Sequence, residues 1–193
     1  VRALKGSPPD LFVHAAHVFA PHTPIVALGA DAVAEGLRVN VASAYALLRG
    51  AARPMSRAGF GRILVVGSLA SQLGGIGQVT YITEKAALEG LCRAFACEFA
   101  ARGVLVNVVH PGIVDTANVH ARVDARVLEA FARRTAAGRL LRVSEVVHAS
   151  LAFLDPSQCA LTGQALRISG GVDSLPALHH DGPAGSGHEG APP

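Results

Sequence analysis

Two residue types are scarce in this chain, and they meet at one place. Tyrosine occurs at Tyr45 and Tyr81, and lysine at Lys5 and Lys85, against fifteen arginines. Tyr81 and Lys85 stand four apart at the head of an apolar, helix-patterned stretch, a spacing that puts both side chains on one helical face. Where a generic cation would serve, the sequence nearly always uses arginine; at position 85 it uses lysine, a compact point charge with three rotatable donors. A free phenol, with a pKa of about 10, is a poor proton acceptor near neutrality, and a neighbouring ammonium stabilises its ionised form. Such a pair can carry a proton to or from an oxygen atom. Taken alone, it also reads as an ordinary helix pair. Ser68 weighs for chemistry: it follows the apolar run RILVVG directly, thirteen residues before Tyr81. A hydroxyl at a strand end can face a ligand.

The surrounding pattern supplies the elements that would position these groups. Residues 11–16 (LFVHAA) read as a buried strand, and 21–24 as loop. Asp31 can cap a helix, and Val33, Leu37, Val41, Ala44 and Leu48 then share one face until near Arg57. Residues 62–67 form a second buried strand, and 68–78 a loop. Residues 81–101 carry Leu88, Leu91, Phe95 and Phe99 on one stripe, a helix that Gly103 closes. Residues 104–109 are a third strand, stopped by Pro111 and Gly112. Residues 118–135 are helical, a further helix runs from Ser144 through Leu154, and 165–168 are a last strand. Residues 174–193, rich in Gly, Pro and His, read as a disordered tail.

Apolar strands alternating with amphipathic helices indicate a parallel sheet covered on both faces. With right-handed crossovers the expected fold is α/β, a Rossmann-like doubly wound sheet in three layers, forming one domain over residues 1–173. Ligands bind such folds beyond the carboxyl ends of the strands. The segments to inspect are therefore 14–17, 68–71, 110–116 and 170–171.

Composition narrows the function classes. The 193 residues are half apolar and 5% aromatic, so the core must be aliphatic. The 17 basic and 14 acidic residues are mixed along the chain with no basic stripe, so a nucleic-acid partner is not expected. No apolar run approaches the roughly 18–20 residues of a membrane span, and the first ten residues lack the apolar core of a secretory signal. Cys92, Cys97 and Cys159 have no CxxC spacing; they read as reduced thiols of a cytoplasmic protein, with no metal site.

The run GRILVVGSLASQLGGIGQVTYITEKAALEGL resembles the short-chain dehydrogenase/reductase family, whose pattern is a strand-end Ser, then Tyr-x-x-x-Lys, then an apolar helix. The resemblance extends over nearly the whole chain except the tail. Asn40, in RVNVASAY, matches the family's fourth catalytic residue. Residues 106–116 (VNVVHPGIVDT) are similar to the strand and loop that hold the nicotinamide, and 161–171 (LTGQALRISGG) to the closing strand. The nearest branch is the 3-oxoacyl-carrier-protein reductases. The resemblance implies an NAD- or NADP-dependent interconversion of a ketone and a secondary alcohol, on a small-molecule or acyl-thioester carbonyl. Tyr81 would be the general acid in reduction and the base in oxidation. Lys85 would stabilise the phenolate and hold the nicotinamide ribose. Ser68 would orient the carbonyl, and Asn40 would hold a water linking Lys85 to solvent. Ala15, Ala16, Pro111, Gly112, the backbone at Ile113 and Thr116 would contact the cofactor, and 117–141 would be the substrate lid. A homodimer or homotetramer is implied, with Gly90 and Ala94 near the two-fold contact.

Two departures from the family pattern stand out. Its Asn-Asn-Ala-Gly is here His14-Ala15-Ala16-His17, and both histidines read as structural. The glycine-rich Thr-Gly-x-x-x-Gly-x-Gly turn is absent, and Gly74, Gly75 and Gly77 read as a plain loop. The match begins at the fourth strand of the complete fold, so roughly 60–80 preceding residues are expected at about 30 or more per βαβ unit. The alternative to an enzyme is a truncated, non-catalytic partner subunit; more remote is an unrelated α/β domain.

Overall fold

The computed structural model describes residues 7–174. Strands β1 (Leu11–His14), β2 (Gly61–Val66), β3 (Val104–Pro111) and β4 (Ala165–Ile168) form one parallel sheet, and their order across the sheet is their order along the chain. His14 aligns with Val65, and Val66 with Val109. The carboxyl ends of the first three strands are thus nearly level, and the segments that follow them share one edge.

Alternation along the two central strands sorts side chains between the two faces of the sheet. Ile63 and Val65 of β2 and Val104, Val106 and Val108 of β3 pack beneath two helices, α2 (Ser43–Ala58) and α4 (Val79–Phe99). These helices contribute Leu48, Ala52, Met55, Leu88, Phe95 and Phe99 to that layer. Leu64 and Val109 point the other way, under Phe153, which follows α7 (Val143–Leu151), with Leu154, Leu161 and Ile168 beside it. The result is a Rossmann-like α/β fold with its largest core between the central strands and the α2/α4 layer. The turn that ends α4 and starts β3 depends on Gly103. It has φ +76°, and an added Cβ would lie 2.0 Å from the Gly59 carbonyl oxygen. The close approach lets the Gly61 N–H bond to the Gly103 carbonyl at 3.2 Å, where β2 and β3 begin side by side.

The helix expected over 31–57 is one helical rod with a wide turn inside it. Helix α1 (Ala30–Gly36) passes through a π-helical segment, Leu37–Ala42, into α2. The loop after β2 contains the short helix α3 (Ala70–Leu73). The helix expected over 118–135 is two, α5 (Ala117–His120) and α6 (Ala125–Arg134). Thr116 caps the first and Asp124 the second by accepting backbone N–H groups. The expected buried strand at 11–16 is shorter and buried on one face only. Phe12 packs against the α2/α4 core and His14 is buried, whereas Leu11 and Val13 are 46% and 49% exposed. The reason is position: β1 pairs with β2 on one side, and no described element covers its other face. The tail expected at 174–193 lies, apart from Ser174, outside the described residues. Among the described residues no helix is long and apolar enough to cross a membrane.

Candidate active site

Ser68 is held where β2 meets β3. Gly67 N–H donates to the Val109 carbonyl at 2.8 Å, and Leu69 N–H to the Pro111 carbonyl at 2.9 Å, so the loop after β2 is zipped onto β3 on both sides of the serine. Ser68 N–H also lies 3.2 Å from His110 Nδ1. Its Oγ accepts the Ala70 N–H at 3.2 Å. The hydroxyl proton therefore remains available to point at another oxygen.

Tyr81 lies near the start of α4, beside this loop. Its ring meets His17 edge-on, with centroids 5.1 Å apart, and stacks on Phe19 at 5.7 Å. Burial pushes the phenol above its ordinary pKa; the Ser68 hydroxyl pulls it back, and Glu84 adds to the rise. Burial outweighs the pull of the serine, so the group is a phenol at neutral pH and an acid rather than a resting phenolate.

One turn further, Lys85 is 4% exposed, and its Nζ donates to the Val66 carbonyl at 2.9 Å. The ammonium lies 5.8 Å from the centre of the Tyr81 ring. Burial lowers its pKa to about 8, against the opposing pull of Glu84. Among the described residues, Val66 is the one hydrogen-bond acceptor recorded for the three ammonium protons.

Asn40 sits in the π-helical segment and faces the same site. Its Oδ1 accepts the Val18 N–H at 2.8 Å, and its Nδ2 donates to the Val18 carbonyl at 2.9 Å and to Glu84 Oε2 at 3.0 Å. Both amide protons are thus engaged with protein groups, and Asn40 fastens the loop after β1 to α4. Ser68, Tyr81, Lys85 and Asn40 lie together at the carboxyl edge of the sheet, with the Asn40 amide, expected to hold a water, bonded instead to Val18 and Glu84.

The other expected contacts lie around that edge. Ala15 and Ala16 are exposed just past β1. Pro111 is the last residue of β3, and Gly112 N–H bonds to the Ile168 carbonyl at 2.9 Å. An added Cβ at Gly112 would come within 3.0 Å of the Phe131 ring, so α6 packs directly onto this loop. The Ile113 carbonyl accepts the Leu141 N–H at 3.2 Å, and Thr116 Oγ1 accepts the Val119 N–H at 3.3 Å. Across the mouth, the Arg122 guanidinium lies 5.0 Å over the Phe19 ring, joining the segment after α5 to the loop after β1. Beside Tyr81 a small pocket opens between that loop and residues 77–80, its walls tied by a Thr23 N–H to Gly77 carbonyl bond of 2.9 Å.

A family model described as "Enoyl-(Acyl carrier protein) reductase" matches residues 5–173. The chain belongs to the short-chain dehydrogenase/reductase family. Among curated relatives of this short-chain dehydrogenase/reductase is the 3-oxoacyl-[acyl-carrier-protein] reductase of Escherichia coli (strain K12), 35% identical over 137 residues, which cover 70% of this chain and 55% of that protein. The chain spans about half the length of the curated relatives it matches. Among solved structures, the TT0495 protein from Thermus thermophilus superposes with a TM-score of 0.78 at 32% identity, covering 86% of this chain and 70% of that one. A gluconate 5-dehydrogenase from Burkholderia cenocepacia J2315, solved with NADP and tartrate, gives a TM-score of 0.80 at 27% identity, covering 87% and 66%.

Three further residues of this short-chain dehydrogenase/reductase join the site, Glu84, His110 and Gly67, of which only His110 falls in a segment marked for inspection. Glu84 is 2% exposed, and its Oε2 lies 2.7 Å from His17 Nε2. His110, fully buried, carries the Ser68 N–H on one nitrogen and has its other nitrogen 3.1 Å from Glu89 Oε2. Nδ1 is thus the acceptor for Ser68, while Nε2 is close to Glu89 but not aligned for a hydrogen bond with it. Gly67 belongs with it, since an added Cβ there would lie 2.5 Å from the His110 ring. One signal was available: a glutamate directly before the lysine, in a helix short of charges, is an unusual tenant of a buried face.

Proposed function

We propose that this protein interconverts a ketone and a secondary alcohol by hydride transfer with NAD or NADP, on a small-molecule or acyl-thioester carbonyl. The observation that carries this reading is the convergence of the Ser68 hydroxyl and the Tyr81 phenol at the carboxyl edge of the sheet, with the Lys85 ammonium behind them. A nicotinamide fits this edge on one structural ground: Lys85 uses one proton on Val66 and keeps two donors for a ribose hydroxyl pair. Pro111, Gly112, Ile113 and Thr116 line the adjoining loop. A bound nicotinamide supplies the hydride in reduction and receives it in oxidation. Ser68, already accepting the Ala70 N–H, donates its proton to the carbonyl oxygen and orients it. Tyr81, protonated at neutral pH, delivers its proton to that oxygen. Lys85 stabilises the phenolate left behind. Phe19 and Arg122 close over the tyrosine on the solvent side.

The relatives' names support the acyl-thioester class, and the three free cysteines suit the reducing cytoplasm. The test is to follow NADH and NADPH oxidation on adding a 3-oxoacyl thioester or a small ketone. Carbonyl-dependent oxidation is the expected result. A well-folded protein that turns over with neither cofactor would favour the partner-subunit reading.

Assembly into a homodimer or homotetramer is part of the same proposal. On the outer face of α4, Ala86, Ala94 and Cys97 are exposed, and an added Cβ at Gly90 would meet nothing within 4 Å. Small residues let a second helix approach closely, and a two-fold dimer is the commonest closed arrangement. Ala94→Arg is expected to shift the protein toward monomer in sedimentation velocity. An undisturbed oligomer would move the contact to another face.

A further inference from the structure

A buried backbone N–H needs an acceptor. At the end of β2 the neighbours of Ser68 find theirs on the β3 backbone, Gly67 on Val109 and Leu69 on Pro111. The Ser68 N–H falls between those two bonds. Among the described residues its recorded partner is a side chain, His110 Nδ1, at 3.2 Å. His110 lies on β3 between the two residues that take the flanking bonds, and none of it is exposed. Gly67 permits the approach, because an added Cβ there would lie 2.5 Å from that same nitrogen. The ring therefore completes a ladder that the two backbones leave open. Ser68 Oγ accepts the Ala70 N–H from the turn that follows, so the hydroxyl moves with this stretch of backbone.

His110 Nδ1 stands at a junction. The Ser68 carbonyl lies 3.1 Å from it and the Ser71 hydroxyl 3.4 Å, and Ser71 already donates to that carbonyl at 2.7 Å. With a lone pair on Nδ1, the ring receives the Ser68 N–H and leaves the Ser71 bond undisturbed. With a proton on Nδ1, two N–H groups face each other, and the ring competes with Ser71 for the carbonyl. The first state satisfies all of these groups and the second does not. The surroundings agree. Burial, helped by the Lys85 charge, holds His110 below its ordinary value, with the Ser68 carbonyl and Glu89 opposing. Both charged groups that face the ring, Lys85 and Glu89, come from α4; α3 presents the uncharged Ser71 and Gln72, the latter bonded to Glu89 at 2.8 Å. Glu89 Oε2, 3.1 Å from Nε2, draws the single proton of the neutral ring to that nitrogen by charge rather than by an aligned bond.

We infer that His110 is a positioning residue for Ser68: its neutral ring takes the serine's backbone N–H on Nδ1 and so fixes where the Ser68 hydroxyl points. What that hydroxyl does rests on the proposed carbonyl reduction, but the hydrogen bond does not. Isotopic nitrogen labelling of the full chain reads the bond directly. At neutral pH His110 Nδ1 is expected to resonate as an unprotonated nitrogen and to show scalar coupling to the Ser68 amide nitrogen. Both signatures should be lost together as the pH falls through the titration of that ring. A folded parent whose His110 carries its proton on Nδ1 at neutral pH would overturn the inference. Two variants separate positioning from packing. His110→Phe fills the space and offers no acceptor, whereas His110→Asn is smaller but returns an oxygen near the place of Nδ1. The Phe variant is expected to lower kcat by about ten- to a hundredfold, the scale of a slightly misplaced group, with KM changed less. The Asn variant should recover most of that loss. The reverse order, with Phe as active as the parent and Asn impaired, would make the ring a filler and overturn the inference. Should the variants fail to fold, the labelled parent decides. Absence of turnover with the nitrogen coupling intact would count against the proposed function alone.

Discussion

Replacing Tyr81 with Phe is expected to lower turnover by about two to four orders of magnitude, the usual range for a positioned proton donor. The substitution removes one oxygen and leaves the ring contacts with His17 and Phe19 in place, so the fold and the shape of the mouth should persist. Neither neighbour can do the same work. A serine hydroxyl such as that of Ser68 is too weak an acid to protonate an alkoxide-like oxygen by itself, and Lys85 is tied back to Val66. The loss should fall on kcat more than on KM, because the proton is delivered in the transition state and the phenol adds little to ground-state binding. A Phe variant keeping more than about a tenth of the parent activity would remove Tyr81 from the acid role.

The largest expected effect on stability lies at the opposite end of the sheet. Arg62 is 5% exposed and spends its guanidinium on five backbone carbonyls: those of Asp155, Gly61, Gly103, Pro156 and Gln158, at 2.6 to 3.3 Å. Its charge also sits 4.4 Å from the centre of the Phe60 ring. Arg62→Met keeps much of the aliphatic stem but removes the guanidinium donors from Pro156 and Gln158, while the Gly103 and Asp155 carbonyls keep the N–H groups of Gly61 and Gln158. Leaving a buried carbonyl without its donor costs about 1–3 kcal/mol, so the loss of these contacts is a large share of a domain's stability. Urea unfolding should show it as a lower midpoint at unchanged slope. A loss below about 1 kcal/mol, the net worth of one ordinary hydrogen bond, would mean that water replaces the guanidinium at those carbonyls.

The parts of this molecule that could be read from sequence are those encoded by short-range pattern. RILVVG and VLVNVV are apolar runs bounded by turn residues, and they became the two central strands. The four-residue spacing of Tyr81 and Lys85 survives folding because a helix preserves it. Partnerships set by tertiary packing were hidden. Glu84 and His17 are 67 residues apart, and neither residue type at its own position announces the other. Arg62 reads as the polar flank of a strand until the loop at 155–158 closes over it. The widened turn that carries Asn40 also leaves no mark in the spacing, because apolar residues three and four apart fit both an α-helix and an α-helix with one π turn. The division between α5 and α6 was legible in principle: Asp124 is a good N-cap, but the apolar pattern around it runs on without interruption.

The agreement between strand order in space and strand order in sequence has a consequence for how the molecule comes into being. Each strand, once made, is the edge against which the next will pair, so the sheet can grow in one direction as the chain lengthens, without threading a late strand between early ones. By the time β3 has docked on β2, residues 14 to 111 already include Asn40, Ser68, Tyr81 and Lys85. The segment from Ala117 to Leu141, which reaches this edge through Arg122 and Phe131, is made afterwards. The four side chains can therefore be set in place before that segment exists, and it can vary in sequence without entering the steps that build the floor beneath it.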